Sequence, residues 1–170
     1  MQKVVNWMQG SDRVAFFMLN QSWKSPSTDF FMPIITNLGG AAWSIISCLV
    51  LLLNDNIVAN KVGQHLAVSL LISHLIVRLG KKFLPRLRPY IVLENVYIGP
   101  KIYKDSSFPS GHSTAAFCSA TVLSSALPAF SVVFFALAVL VAVSRVYLGM
   151  HYPSDITVGA VIGIIVALIV

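Results

Sequence analysis

The chain has 170 residues, of which 56% are hydrophobic and 11% are charged, and its formal net charge is +6. About a quarter of the residues of a soluble domain are usually charged, so this composition excludes an ordinary soluble protein and predicts a membrane protein. The sequence contains no repeats, low-complexity tracts or linkers. We therefore expect residues 1–170 to form a single membrane-embedded domain.

Residues 1–25 differ from the rest of the chain because Lys3, Asp12 and Arg13 are mixed with aromatic and aliphatic side chains. A charge buried in the middle of a membrane costs at least ~2.5 kcal/mol. This segment is therefore predicted to be an amphipathic helix that lies in the membrane interface. It lacks the short apolar core and cleavage site of a signal peptide, so we expect it to be retained.

Five apolar runs follow, and we interpret each as a membrane span. A helix needs ~20 residues to cross a hydrocarbon core of ~30 Å, and these runs are too long for the strands of a barrel. The predicted fold is all-α, a polytopic transmembrane bundle of about six helices that includes the interfacial one. The five runs are residues 28–53, 57–80, 112–129, 130–149 and 154–170.

Small residues within two of these runs predict local features of the bundle. Asn37, Gly39 and Gly40 indicate a bend or a packing notch in the first run. Gly159 and Gly163 form a GxxxG pattern, which is typical of a close contact between two membrane helices. The two cysteines lie in apolar runs without metal-like spacing, so we interpret them as free, small hydrophobic side chains.

Basic residues are concentrated in one part of the chain, since seven of the twelve lie within residues 78–104. Four lysines are interpreted as anchors that reach lipid headgroups from the ends of helices. For Arg86, contact with a substrate and contact with a headgroup remain equally open. In the loop of residues 91–107, Glu94 and Asp105 could repel headgroups with too much negative charge or be solvated, and we favour the solvated interpretation. The four anchors are Lys61, Lys82, Lys101 and Lys104.

Three polar segments end at the same membrane surface when the chain is followed through its predicted spans. They are KKFLPRLRP, SFPSGHS and SRVYLGMHYPSD. Lys81, Arg88 and Arg145 offer a point charge and two guanidinium forks, which suit the oxygens of a phosphate. Ser110 and Gly111 precede a helix, where free backbone N–H groups favour an anion and glycine permits close approach. The convergence predicts a phosphate-binding site.

Two histidines add chemistry to this site. His151 and Asp155 are four residues apart, so they share one face at the start of a helix. A carboxylate there can bind one ring nitrogen, fix the tautomer and make the other nitrogen a better nucleophile. His112 is the second histidine, and the sequence offers no carboxylate cluster to hold a metal. The pattern indicates phosphoryl transfer without a metal or another cofactor.

The three motifs, taken in order, resemble the type 2 phosphatidic acid phosphatase superfamily, the lipid phosphate phosphatases. The resemblance covers residues 78–163 and rests on lysine, six residues and Arg-Pro, then on PSGH, then on Ser-Arg, five residues, histidine, three residues and aspartate. It implies that His151 attacks phosphorus and forms a phosphohistidine, with Asp155 orienting the ring. His112 would protonate the leaving oxygen and then activate water. The implied phosphate ligands are Lys81, Arg88, Ser110, Gly111 and Arg145.

The function expected from this resemblance is hydrolysis of a lipid monophosphate or diphosphate, such as phosphatidate, phosphatidylglycerol phosphate or undecaprenyl diphosphate. The rival hypothesis is a non-catalytic membrane protein that binds anionic headgroups, although headgroup binding does not need the two histidines and Asp155. Vanadate-dependent haloperoxidases share the motifs, but those enzymes are soluble. The expected partners are the lipid substrate and the bilayer, with no nucleic acid and no obligate protein partner.

The orientation in the membrane is predicted by two opposing arguments. Counting Lys and Arg places the site on the cytoplasmic side. We discount that count because several of these basic residues would be required for catalysis, so their position does not report how the chain was inserted. In bacterial relatives the site commonly opens to the extracytoplasmic side, and the short loops are of a bacterial kind. We therefore predict a bacterial plasma membrane protein whose site faces the extracytoplasmic side.

Overall fold

A computed structural model describes residues 2–170, with the side chains of the first helix described from Gly10 onward, and its regular elements are all helical. This confirms the predicted all-α class. The first apolar run is broken into two helices, and a one-turn helix lies in the polar connection between the second and third runs. Within residues 2–170 there are eight α-helices and not the predicted six. They are α1 Gln2–Asn20, α2 Pro26–Ile35, α3 Ala41–Leu52, α4 Ile57–Phe83, α5 Pro89–Val92, α6 Gly111–Ala126, α7 Ser131–Tyr147 and α8 Pro153–Ile169.

The length and apolar character of the helices identify a membrane protein. Among the described residues, α4 and the segment Pro128–Tyr147 are each long and apolar enough to cross a membrane, and α2 with α3 makes a third span if its break is included. The other two predicted spans, α6 and α8, have only 16 and 17 residues. Large apolar side chains such as Leu53 and Val132 are about four-fifths exposed, as expected for lipid contact.

The first apolar run is bent by 52° between α2 and α3, which confirms the predicted bend at its glycines. A Cβ atom on Gly39 would lie 2.6 Å from Val141 Cγ1 and 2.7 Å from the His112 carbonyl oxygen. Only glycine permits this approach. The break therefore brings the chain directly against the start of α6.

Helix α6 lies between α4, α7 and α8, and its contact with α8 is especially close. A Cβ on Gly159 would lie 2.6 Å from the Ser110 carbonyl oxygen, and one on Gly163 would overlap the carbonyl oxygen of Thr114. This confirms the helix contact predicted from the GxxxG pattern. Cys118 of α6 is buried and Cys48 is partly buried, and both are free, as predicted.

The first helix is attached to the bundle by residues spaced at four. Asp12, Phe16 and Asn20 are all buried. The Asn20 side-chain amide donates to the carbonyl oxygens of Tyr97 at 2.9 Å and Tyr147 at 2.7 Å. The predicted helix is present, but the face that packs on the protein carries Asp12, which is buried and pairs with Arg86. Its location in the membrane interface stays a prediction.

We expect Gly163→Ala to destabilise the protein, because the added methyl group meets backbone atoms of α6 that cannot move aside. Overpacking of this kind costs about 1–3 kcal/mol. Thermal unfolding in detergent measures the effect as a lowered Tm. The matched control is Gly10→Ala in α1, where an added Cβ meets no atom within 4 Å. Equal Tm values for the two variants would contradict the close contact between α6 and α8.

Candidate active site

The three polar segments meet at one end of the bundle, where α4 and α7 end and α6 and α8 begin. Ser110 is the N-cap of α6, and its backbone N–H donates to the Asp155 carbonyl oxygen in the first turn of α8, at 3.1 Å. Lys81 lies in the last turn of α4, and Arg145 lies in the last turn of α7. The structure thus brings residues distant in sequence to one place, as the sequence predicted.

The start of α6 forms one wall of this site. The Ser110 side chain accepts a hydrogen bond from the Ser113 N–H at 3.4 Å, and the Ser110 carbonyl accepts from the Thr114 N–H at 3.0 Å. The first N–H groups of a helix have no partner within that helix. The amides of Gly111 and His112 are therefore the ones available to an anion, where the helix dipole also favours negative charge.

His151 is buried between an arginine and a carboxylate. Its Nε2 atom lies 3.3 Å from an Arg88 terminal nitrogen, and its Nδ1 atom lies 3.6 Å from Asp155 Oδ2. Arginine can only donate, so Nε2 accepts and the ring proton is on Nδ1, toward Asp155. Burial, helped by Arg145 and Arg88, lowers the pKa of His151 to about 3 against the opposing effect of Asp155. The ring is neutral at pH 7, and its lone pair is on Nε2, where it accepts from Arg88.

Lys81, Arg88 and Arg145, which we call the cation cluster, lie at this end of the bundle, and Arg88 contacts the His151 Nε2 atom. The two guanidinium groups are almost fully buried. The ring of Tyr103 lies near both, with its centroid 5.2 Å from the Arg88 Cζ and 5.1 Å from the Arg145 Cζ. Such cation–π contacts stabilise desolvated guanidinium groups. Among the described residues, Arg145 Nε has no hydrogen-bond partner, so a donor remains for an oxygen of a ligand.

Asp105 is 52% exposed, and it also forms ion pairs with the cation cluster that its interpretation as a solvated carboxylate did not include. Its Oδ2 lies 2.9 Å from Lys81 Nζ, and its Oδ1 accepts from an Arg88 terminal nitrogen at 2.7 Å. Burial raises the pKa of Asp105, but Lys81 and Arg88 outweigh that effect and lower it to about 2. The ion pairs are therefore present at neutral pH and are lost only as the pH falls toward 2. A carboxylate of the chain occupies the position predicted for phosphate.

His112, the second residue of α6, lies on the Tyr103 side of the site. Its ring is edge-on to that of Tyr103, with the centroids 6.2 Å apart. The bend before α3 packs against the His112 backbone at Gly39. Within residues 2–170, no three His, Cys, Asp or Glu side chains are grouped so as to hold a metal ion. The individual roles of the histidines stay predictions.

The sequence did not predict two residues that lie next to Asp155, Arg86 and Asp12. Arg86 donates to Asp155 Oδ1 at 2.7 Å and to Asp12 Oδ2 at 2.6 Å. The sequence left two interpretations of Arg86 open, a substrate contact and a headgroup contact. In the structure its terminal nitrogens bind two carboxylates of the chain, which neither interpretation included. The position of Arg86 between Lys81 and Arg88 in the sequence could have indicated that it lies at the site. No pattern in the sequence around Asp12 indicated that Asp12 lies there too.

The fold and the site define a helical membrane protein with a buried histidine beside a cluster of cations. Residues 63–170 match the PAP2 superfamily, and this chain belongs to that superfamily, as the sequence motifs predicted. The match includes all three motifs and excludes α1, α2 and α3.

Curated relatives and solved structures agree with this assignment. An undecaprenyl-diphosphatase of Sulfolobus acidocaldarius is 30% identical over 122 residues, which are 71% of this chain and 58% of the relative. A lipid A 1-phosphatase of Rhizobium johnstonii is 26% identical over 151 residues, covering 76% of this chain and 61% of the relative. The chain thus spans about six-tenths of the length of these curated relatives.

Two crystal structures share the fold over most of their length. Aquifex aeolicus LpxE superposes with a TM-score of 0.80 at 30% identity, covering 91% of this chain and 90% of that one. A PAP2-type phosphatidylglycerolphosphate phosphatase of Bacillus subtilis gives a TM-score of 0.78 and covers 96% of this chain and 84% of that one. Its identity of 24% supports the fold alone.

We expect Asp105→Asn to tighten the binding of inorganic phosphate, because the neutral amide no longer competes for Lys81 and Arg88. A partly exposed ion pair is worth up to ~1 kcal/mol, which corresponds to about a fivefold lower Kd. Calorimetric titration of the purified protein in detergent measures this. Glu94→Gln, an exposed change in the same loop, is the matched control. Unchanged or weaker phosphate binding in Asp105→Asn would contradict the competition.

Proposed function

We propose that this protein is an integral membrane lipid phosphatase that hydrolyses a phosphate monoester or diphosphate of a lipid through a phosphohistidine on His151. The observation that carries the proposal is the setting of this neutral imidazole. Its Nε2 atom faces the cation cluster, while its Nδ1 side faces Asp155. A general headgroup-binding protein needs the cations but not a histidine held in this way.

Substrate binding is proposed to begin with an exchange of anions. The phosphate takes the place of the Asp105 carboxylate on Lys81 and Arg88, and it gains the unpartnered Arg145 Nε and the amides at the start of α6. A phosphate offers more oxygens than a carboxylate, so it can engage all three cations together. Donors fixed before the reaction stabilise the charge on the equatorial oxygens without reorganisation.

The reaction is proposed to have two steps. His151 Nε2 attacks phosphorus in line, the bond to the lipid oxygen breaks, and His112 gives that oxygen its proton. The positive charge of the phosphorylated ring is stabilised by Asp155, whose Oδ2 lies 3.6 Å from Nδ1. Water then gives a proton to His112 and attacks phosphorus, which releases phosphate and free His151. No metal or other cofactor takes part.

An apolar groove next to the site supports a lipid substrate. It has a volume of about 400 Å³ and lies between α4 and α8. Gly80, which precedes Lys81, and Pro109, which precedes Ser110, both line it. A lipid tail in this groove would place its headgroup at the cation cluster. The other lining residues are Ile76, Leu79, Phe83, Leu84, Phe108, Val158 and Ile162.

We expect phosphate release from lipid phosphates in excess chelator, because the proposed groups belong to the chain itself. The purified protein in detergent is assayed with phosphatidate, phosphatidylglycerol phosphate, undecaprenyl diphosphate and lipid A. The last is included because curated relatives are named lipid A 1-phosphatases. His151→Ala is expected to abolish release, since His151 is the group proposed to accept the phosphoryl group.

The controls for this assay separate catalysis from folding and from binding. His65→Ala replaces a histidine whose ring contacts the Ala167 carbonyl oxygen near the opposite end of the bundle, and we expect it to retain activity. Substantial release by His151→Ala would contradict the phosphohistidine. If folded wild-type protein binds lipid phosphates but releases phosphate from none of them, the headgroup-binding hypothesis is favoured instead.

We also propose that the protein lies in a bacterial plasma membrane with its site on the extracytoplasmic side. Lys81, Arg86, Arg88 and Arg145 are all engaged within the site, which supports leaving them out of a count of orienting charges. Their position at this end of the bundle is therefore explained by the proposed reaction. The excess of positive charge at this end then no longer argues for the cytoplasm.

We expect a cysteine at exposed Lys104 to react with a membrane-impermeant maleimide in intact bacterial cells, in a background lacking Cys48 and Cys118. Asp55 lies in the connection before α4, at the opposite end of that helix from Lys81, so Asp55→Cys is the matched control and is expected to stay protected. The reverse labelling pattern would place the site on the cytoplasmic side.

A further inference from the structure

We propose that Arg86 is a positioning residue for the phosphatase reaction, and that Asp12 of α1 holds Arg86 in place. Arg86 would act through Asp155, without touching the substrate. The inference rests on the proposed function, because Asp155 is proposed to stabilise the phosphorylated His151. It assigns a role to α1, which lies outside the residues that match the PAP2 superfamily.

Both terminal nitrogens of Arg86 are engaged by groups around the start of α8. One donates to Asp155 Oδ1 at 2.7 Å and to the Ser154 hydroxyl at 2.7 Å. The other donates to Asp12 Oδ2 at 2.6 Å. The guanidinium carbon lies 3.9 Å from the centroid of the Tyr152 ring. An arginine held by two carboxylates and an aromatic ring has a single orientation.

These contacts fix the carboxylate of Asp155. Its Oδ1 is bound by Arg86, and its Oδ2 accepts from the Tyr152 backbone N–H at 2.8 Å while facing His151 Nδ1. The carboxylate therefore cannot rotate without losing one of these bonds. Asp155 is fully buried, so a lost bond would leave a charged oxygen without compensation. Arg86 thus keeps Oδ2 directed at the imidazole.

Asp12 is built into the same arrangement and is not a surface charge. It is 8% exposed, and its Oδ1 accepts from the Ser154 backbone N–H at 2.9 Å. Its Oδ2 accepts from the Ser154 hydroxyl at 2.5 Å as well as from Arg86. The acidic side chain lies at the N-terminal end of α8, where the helix dipole favours negative charge. Helix α1 is thereby linked to Asp155 through one guanidinium group.

The test is a double-variant cycle between Arg86 and Asp155, with kcat and KM measured on the preferred lipid. Arg86→Gln is expected to lower kcat about tenfold to a hundredfold, as the loss of an orienting partner typically does, with KM unchanged within about twofold. If Arg86 acts only through Asp155, the double variant has the kcat of Asp155→Asn alone. Losses that multiply in the double variant would overturn the proposal.

Matched variants separate charge from position. Arg86→Lys keeps the charge but cannot bind two carboxylates in a fork, so we expect a partial loss of kcat. Arg13→Gln removes an exposed arginine adjacent to Asp12 and is expected to leave kcat unchanged. Asp12→Asn is expected to lower kcat about threefold to tenfold, whereas Asp55→Asn, in an exposed connection, leaves it unchanged. Full activity of Arg86→Gln would refute the positioning role of Arg86, and full activity of Asp12→Asn would refute the role of Asp12 in holding Arg86.

A readout that does not depend on turnover distinguishes this inference from the proposed function. The nitrogen resonances of His151, assigned by comparison with His151→Ala, report its tautomer in detergent-solubilised protein. Arg86→Gln is expected to reduce the Nδ1–H tautomer in the same direction as Asp155→Asn, even if no lipid tested is a substrate. An unchanged tautomer in Arg86→Gln would refute the positioning role. Failure of the proposed function would instead appear as wild-type protein without phosphate release.

Discussion

The arrangement of this protein depends on holding three cations together in a site that is largely removed from water. Desolvated charges of one sign are costly unless other groups compensate them. The chain supplies that compensation from several elements. Asp105 pairs with Lys81 and Arg88, the Tyr103 ring contacts both guanidinium groups, and the Met150 carbonyl accepts from Arg88 at 2.9 Å. The loop before α6 supplies Tyr103 and Asp105, so its conformation is coupled to the cations.

The close packing of α6 on α8 gives the site its rigidity. The Ser110 amide is bound to the Asp155 carbonyl, and Gly159 lies against the Ser110 carbonyl in the same region. The anion-binding end of one helix and the carboxylate of the next are therefore fixed to each other by backbone contacts. Small residues are needed along this interface, which explains why α6 is rich in Ala, Ser and Thr.

Local spacing allowed the sequence to predict the residues that meet here, but not how the charges pair. His151 and Asp155 share a helix face because they are four residues apart, and the order of spans brings Arg88 to the same end. The pairing of Asp105 depends on how a long loop folds back, and that of Asp12 on the docking of a helix 74 residues before Arg86. Neither leaves a periodic pattern in the sequence. The bend at Gly39 and Gly40 was predictable because glycine has no Cβ, so it allows backbone conformations and close approaches that other residues do not.

The charges around His151 are divided between its two nitrogens in a way that suits phosphoryl transfer. On the Nε2 side, the three cations with Asp105 leave a net charge of +2, which suits an incoming phosphate dianion. On the Nδ1 side, Arg86 between Asp12 and Asp155 leaves a net charge of −1, which suits the positive ring that forms when phosphorus bonds to Nε2. In the proposed reaction, a phosphorylated imidazole between these regions would be better stabilised than the neutral one. Asp12 and Arg86 belong to this division as much as Asp155 does, because without Asp12 the Nδ1 side would have no net negative charge.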